Sequence, residues 1–293
     1  TRRARVPKNV HSLMCAAQSV PECLASFGAI VITGASSGIG EEFVRAIHKL
    51  SPNAAIFNLS RTAPPIISEI KTLQHCPADL SSTAGQDAAA ETAAKWLDGT
   101  QGRVLLLNNS GFGTYGPFPA PNEARTLAMV DLNVRAPVLL TARLLCRLQT
   151  RGGAVVNIAS TAAYQPTPLF STYGATKAFL LNWSLGLWRE LLGSNVHVLC
   201  VCPGPTATNF FRGAGFKEPP LASHPGQTSA QVVAESLQAL ARKRPLVVCG
   251  WTNKLSSALA GRLPKVWAAS LVYRIMHKLR LGPLERQQRE KGS

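Results

Sequence analysis

From residue 29 onward the chain alternates short apolar or β-branched runs with longer stretches in which apolar residues recur at helical spacing. The short runs read as strands at 29–33, 55–59, 74–78, 103–108, 153–159, 196–202 and 245–249. The longer ones read as helices at about 39–50, 81–97, 123–149, 172–192 and 230–242. Such alternation predicts an α/β fold with one doubly wound parallel sheet of about seven strands and helices on both faces. It also predicts right-handed crossovers and ligands at the carboxyl ends of the strands. Residues 28–250 are expected to form this single domain.

Three segments break the pattern. Residues 203–228 are Pro- and Gly-rich, carry Phe210, Phe211 and Phe216, and follow a strand end. Long irregular segments in compact domains are usually functional or disordered, and this placement suits a substrate-covering lid. Beyond Gly250, Leu255, Leu259, Leu263, Val266, Trp267, Leu271 and Ile275 recur at helical spacing, accompanied by Lys254, Arg262, Lys265, Arg274 and Lys278. Residues 251–293 are therefore expected to contain a basic amphipathic helix. It could lie on an anionic membrane, cover the active site, make a dimer contact or dock on its own domain. Residues 1–27 read as a basic, poorly ordered extension or a transit-peptide remnant.

Composition alters this picture only where charge is concerned. The chain has 293 residues, 46% of them hydrophobic, enough for a substantial core. Its net charge of +16 is concentrated at the ends, because residues 1–21 and 242–293 together hold fourteen of those charges. The near-neutral interior disfavours a nucleic-acid enzyme. Seven cysteines without a Cys-x-x-Cys pair exclude a disulfide or zinc framework, and no metal site is expected. Cys200 and Cys202 alternate within one strand run and should be buried thiols on one side of it. The expected location is cytoplasmic, with an organelle after transit-peptide removal or a membrane surface as alternatives.

The chemistry lies at the predicted strand ends. Thr33-Gly34-Ala-Ser36-Ser37-Gly38-Ile39-Gly40 closes the first strand and opens the first long helix. Gly34 allows a tight turn, Gly38 lets backbone N–H groups approach a pyrophosphate, and Gly40 permits close helix–sheet packing. At the end of the second strand an acidic residue would bind the ribose hydroxyls of NAD, but the residues there are Ser60 and Arg61. A guanidinium can pair bidentately with a 2′-phosphate, so NADP(H) is expected over NAD. Asp79 and Leu80 are placed to meet the adenine edge, and Asn108-Asn109-Ser110-Gly111 ends the fourth strand where backbone must pass close to the cofactor.

Tyr173 and Lys177 lie four apart on a predicted helix, and Ser160 stands thirteen residues upstream of the tyrosine. An ammonium beside the phenol should favour phenolate and make Tyr173 an acid and base near neutral pH. Hydride transfer to a carbonyl carbon develops charge on oxygen, which Ser160 could hold and Tyr173 protonate. Phe112, Tyr115, Phe118, Leu169, Phe170, Phe210 and Phe211 lie beside these motifs and could line an acyl or steroid-like pocket.

The glycine turn, Asn108-Asn109-x-Gly111, Ser160, Tyr173-xxx-Lys177 and Pro203-Gly204, in that order, resemble the short-chain dehydrogenase/reductase family from about residue 28 to 250. The resemblance implies a Rossmann-type fold and NADP(H)-dependent carbonyl chemistry. Asn133 becomes a fourth catalytic residue holding a water that links Lys177 to solvent. Lys177 binds the nicotinamide ribose, and Pro203, Gly204 and Thr206 or Thr208 frame the nicotinamide amide. The family's usual Asn-Asn-Ala-Gly is Asn-Asn-Ser110-Gly here. The segment Pro203-Gly-Pro-Thr-Ala-Thr208 looks like that of 3-oxoacyl and other hydrophobic-ketone reductases. Reduction of an apolar ketone or aldehyde by a homodimer or tetramer is the leading expectation. Alcohol oxidation and a non-catalytic nucleotide-binding scaffold at a membrane are the alternatives.

Overall fold

The computed structural model describes residues 18–119, 121–214 and 226–280. Seven strands form one parallel sheet: β1 (Phe27–Thr33), β2 (Ala55–Ser60), β3 (Leu73–Pro77), β4 (Arg103–Asn108), β5 (Gly153–Ile158), β6 (Val196–Cys202) and β7 (Leu246–Val248). Their spatial order is β3-β2-β1-β4-β5-β6-β7. The order reverses between β1 and β4, whose connections leave in opposite directions and open a crevice at their carboxyl ends. The doubly wound Rossmann-type sheet expected from the alternation is thus the fold.

Successive strand residues point to opposite faces, and both faces are apolar because both are covered. Ile30, Ile32, Leu105, Leu107, Val156 and Leu199 pack under α2 (Gly38–Leu50) and α8 (Ser229–Ala241). Val31, Val104, Leu106, Val155 and Val198 pack under α3 (Thr83–Asp98) and α5 (Ala136–Arg151). α6 (Ser171–Glu190) lies over β6. α3, α4 (Glu123–Val130) and α8 begin at the side-chain caps Ser82, Asn122 and Thr228, each accepting from a backbone N–H of the first turn.

Four elements differ from the sequence reading. The helix expected over 123–149 is α4 and α5 joined by a π-turn, Asp131–Arg135. Helical periodicity continues through such a turn, so hydrophobic spacing does not register it. Within the segment expected as an extension, α1 (Val20–Ala25) is closed by a Ser19/Glu22 capping box and buries Cys23 and Leu24. The C-terminal helix is two helices, α9 (Trp251–Arg262) and α10 (Lys265–Arg280), divided at Leu263-Pro264, because proline removes a donor and disfavours helix at the residue before it. Of the expected lid, residues 215–225, including Phe216, lie outside the described residues; the described part contains a short helix, α7 (Phe210–Gly213). Residues 1–17 and 281–293 also lie outside them.

A buried polar chain crosses the middle of the molecule near the strand ends. Asn108 Nδ2 donates to Asn157 Oδ1 at 2.8 Å, Asn157 Nδ2 to Ser184 Oγ at 2.9 Å, and Ser184 Oγ to the Leu180 carbonyl at 2.6 Å. It ties β4 and β5 to α6, the helix that carries Tyr173 and Lys177. Removing one link leaves buried polar groups without partners, so Asn157→Ala is expected to lower stability by about 2 to 4 kcal/mol. The shift in chemical-unfolding midpoint checks this, and a midpoint equal to that of the unaltered protein would contradict it.

Candidate active site

The cofactor end of the site is built where β1 hands over to α2. Gly34 and Gly38 adopt φ of +72° and +61°, the left-handed region that glycine alone enters freely. A Cβ on Gly40 would lie 2.2 Å from the Gly34 carbonyl oxygen, so only glycine lets the helix seat this close to the turn. The Ser37 cap makes no side-chain hydrogen bond, leaving the first N–H groups of α2 facing the crevice. With the positive end of the helix dipole behind them, these donors suit a pyrophosphate.

That turn is laced to its neighbours. Thr33 Oγ1 accepts from the backbone N–H of Asn109 at 3.0 Å and of Ser110 at 2.9 Å. Asn109 Nδ2 donates to the Thr33 and Gly34 carbonyls at 2.9 and 3.0 Å. Asn58, buried in β2, accepts from the Ala35 N–H at 3.0 Å. Its Nδ2 meets Ser60 Oγ at 2.8 Å, and that hydroxyl donates onward to the Thr62 carbonyl at 2.8 Å. The Ser60 side chain therefore serves the loop, while exposed Arg61 beside it lines the crevice wall. Asp79 accepts from the Ser81 N–H and hydroxyl, which hold its carboxyl below the usual range, with a smaller contribution from Arg61.

At the other end, α6 presents Tyr173 and Lys177 one turn apart, and the ammonium lies 5.8 Å from the phenol ring centroid. Both are buried, and Lys177 Nζ donates to the Ile158 carbonyl at 2.8 Å. Burial lowers the Lys177 pKa to about 8, countered by the Cys200 and Cys202 thiols beneath it. Burial raises the Tyr173 pKa to about 12, and a hydrogen bond with Ser160 pulls it partly back. Burial thus opposes the phenolate expected from the neighbouring ammonium and shifts Tyr173 toward its protonated form. Cys200 and Cys202 are both buried, with sulfurs 4.0 Å apart.

Asn133 sits on the π-turn and is wholly buried. Its Oδ1 accepts from the Phe112 N–H at 3.2 Å, and its Nδ2 donates to the Phe112 carbonyl at 2.9 Å and to Thr176 Oγ1 at 3.0 Å. A Cβ on Gly111 would lie 3.1 Å from Asn133 Oδ1 and 3.3 Å from Lys177 Nζ, so glycine lets this backbone pass between the two.

Aromatic rings close the substrate side. The Tyr173 ring lies 4.4 Å from Phe170 and 5.2 Å from Phe210, and Phe210 meets Phe211 edge-on at 5.5 Å. Arg125 stacks on Phe112 and donates to the Gly213 carbonyl at 2.9 Å, fastening α7 to α4. Phe118, expected in this wall, is 76% exposed and takes no part in it.

The resulting crevice has a volume of about 390 Å³. Of the expected catalytic and cofactor-binding residues, all line it except Thr33, Asn108, Asn133 and Gly204; of the expected pocket residues, Phe112, Phe210 and Phe211 line it, and Tyr115, Phe118, Leu169 and Phe170 do not. Thr33 and Asn133 act from behind the wall through the bonds above. Gly204 faces Asn253 of α9, whose amide lies where a Cβ on Gly204 would be. Thr206 Oγ1 donates to the Gly204 carbonyl, and the Thr208 methyl abuts Gly38. Three contributors escaped the sequence reading: Asn58, Thr176 and the Ile158 carbonyl. A polar residue inside an apolar strand run was the available signal for Asn58; a backbone carbonyl has none. Among the described residues no cluster of metal-ligating side chains occurs.

Residues 28–218 match the short chain dehydrogenase family. The chain is 35% identical over 189 residues to serine 3-dehydrogenase of Agrobacterium fabrum, covering 62% of this chain and 74% of that one. It is 33% identical over 203 residues to a very-long-chain 3-oxoacyl-CoA reductase of Phaeosphaeria nodorum, covering 61% of this chain and 56% of that one. A short-chain dehydrogenase from Sphingobium yanoikuyae, solved in complex with NADPH, superposes with a TM-score of 0.68 at 25% identity, covering 82% of this chain and 97% of that one. With a family match over most of its sheet and Ser160, Tyr173 and Lys177 gathered at one end of the crevice, the chain belongs to the short-chain dehydrogenase family of oxidoreductases.

Proposed function

We propose that the protein reduces a ketone or aldehyde on an apolar substrate, with NADPH as the preferred reductant. The observation that carries this reading is the gathering of Ser160, Tyr173 and Lys177 in the crevice wall, with Phe210 against the Tyr173 ring. When bound, a reduced nicotinamide supplies the hydride. Ser160 donates a hydrogen bond to the carbonyl oxygen as it becomes negative, and Tyr173 gives that oxygen its phenolic proton. Burial of Tyr173 strengthens its bond to that oxygen, since little water competes there. Lys177 would hold the ribose hydroxyls and return a proton to Tyr173, fed from solvent through the Asn133 turn.

The chain's residues fit a phosphorylated dinucleotide. The uncapped N-terminus of α2 supports pyrophosphate binding, and Arg61 in the crevice wall, with Ser60 and no carboxylate at the end of β2, favours a 2′-phosphate. The aromatic rings of Phe112, Phe210 and Phe211 in the crevice wall favour an acyl or steroid-like carbonyl. Phe179, 41% exposed and stacked on Trp183, supports a self-association surface on α6 and with it a dimer or tetramer.

Three measurements test this reading. Tyr173→Phe is expected to lower kcat for carbonyl reduction by about 10² to 10⁴-fold while leaving NADPH affinity nearly unchanged. Substantial residual turnover would remove Tyr173 from the acid role. Arg61→Asp is expected to weaken NADPH binding by roughly tenfold to a hundredfold, the loss of one charge-assisted pairing, and to improve NADH relative to it. Equal NADPH titrations for the two proteins would refute the assignment. Because burial lowers the Lys177 pKa to about 8, kcat/KM for NADPH should hold below that pH and fall above it. In Lys177→Arg, which keeps its charge, the alkaline limb should move to higher pH; a limb unmoved near 8 would assign it to another group.

A further inference from the structure

Beyond Gly250 the chain leaves the sheet and lays two helices across its edge. α9 turns Asn253, Ser257 and Ala260 toward the body and carries Trp251, Leu255 and Leu259 on the opposite face. α10 buries Ala268 and presents Trp267, Leu271 and Ile275 outward. In each helix the exposed residues fall at positions i, i+4 and i+8, which form one continuous stripe. Trp251 and Trp267 are 74% and 75% exposed, Leu255 and Leu259 65% and 62%. Of the twelve large apolar side chains exposed among the described residues, eight lie on these two helices. Contiguous exposed apolar surface of this kind marks an interaction site.

Charge selects the partner. Residues 251–280 contain six Arg and Lys and no Asp or Glu. A second copy brought face to face would set one cationic surface against another. The chain's own ends do not complement it either, since residues 1–21 hold four Arg and Lys without an acid, and residues 281–293 hold three against two Glu. A bilayer surface rich in anionic headgroups meets both requirements, with acyl chains for the apolar stripes and phosphates for the cations. Tryptophan favours the interfacial depth, where its ring is apolar and its N–H stays hydrated. No described helix is long and apolar enough to cross a membrane, so the contact would lie along the surface.

We propose that α9 and α10 form a peripheral docking face for an anionic lipid bilayer. The body side of the same pair reaches the catalytic end of the crevice. Asn253 fits against Gly204, next to crevice-lining Pro203, and Lys265 Nζ donates at 3.1 Å to the carbonyl of Tyr164, in the turn that follows Ser160. Docking therefore holds the catalytic end of the crevice beside the bilayer, whichever carbonyl is reduced.

Co-sedimentation of the full chain with vesicles tests the proposal. The protein is expected to partition onto equimolar phosphatidylcholine–phosphatidylglycerol vesicles and much less onto phosphatidylcholine alone. The double variant Trp267→Glu/Leu271→Glu, altered only at exposed positions, should lose at least about tenfold in partitioning onto the anionic vesicles, with NADPH binding unchanged as the control for folding. Arg262→Glu/Arg274→Glu should lose partitioning too, by removing the electrostatic share. Failure of the unaltered protein to bind anionic vesicles, or equal binding by the first double variant, would overturn the proposal. So would a smaller oligomer in that variant without any vesicle dependence, which would make the face a contact between copies.

Discussion

The Thr33 hydroxyl, accepting from the backbone N–H groups of Asn109 and Ser110 while Asn109 reaches back to the Thr33 and Gly34 carbonyls, is the junction on which the rest of the site depends. β1 and β4 are neighbours whose connections diverge, so their ends would otherwise be the least constrained point of the sheet. Cross-linking them there fixes the glycine turn against the loop that runs past the catalytic end. Gly40 is required by the same closeness, because the Asn109 amide and the Gly34 carbonyl occupy the space a side chain would take. The cofactor cradle and the passage past Gly111 to Lys177 are therefore two sides of one packed junction.

At the catalytic end the governing quantity is desolvation. Lys177 and Tyr173 are both shifted toward their neutral forms by burial, the one down and the other up. The surrounding bonds hold this pair in place: the Ile158 carbonyl accepts a hydrogen bond from Lys177, and Thr176 ties α6 to the Asn133 turn. Phe170 and Phe210 add apolar contact around the tyrosine and keep the dielectric low.

The segment after β6 and the C-terminal helices share a small polar hub. Glu235 accepts from the Gly250 N–H at 2.9 Å and from Gln227 Nε2 at 3.0 Å. Gln227 also pairs with Thr206 and accepts from the Ala207 N–H through its backbone carbonyl. One carboxylate thus joins the start of α9, through Gln227, to the segment that follows β6 and lines the crevice with Thr206 and Thr208.

Periodicity and local chemistry made most of this architecture legible in the chain. The spans read from the sequence fall within two residues of all seven strands; the central strands, buried on both faces, leave a dense apolar signal, whereas edge strand β3 buries only Leu73. The glycine turn, Ser160, Tyr173 and Lys177 were legible because their chemistry requires those residue types at those spacings. Three features were not. The π-turn beneath Asn133 keeps the helical rhythm, so no residue type announces it. Asn58 and Thr176 act through partners remote in sequence, and Gly204 faces α9 rather than the crevice, which only the packing of distant segments reveals. The Tyr173 phenol is the clearest case. Sequence placed a cation one helical turn away, but burial, a property of the assembled fold, opposes that cation and raises the phenol's pKa. Spacing along a helix is local and readable; desolvation is the sum of everything packed around a group, and only the tertiary structure decides it.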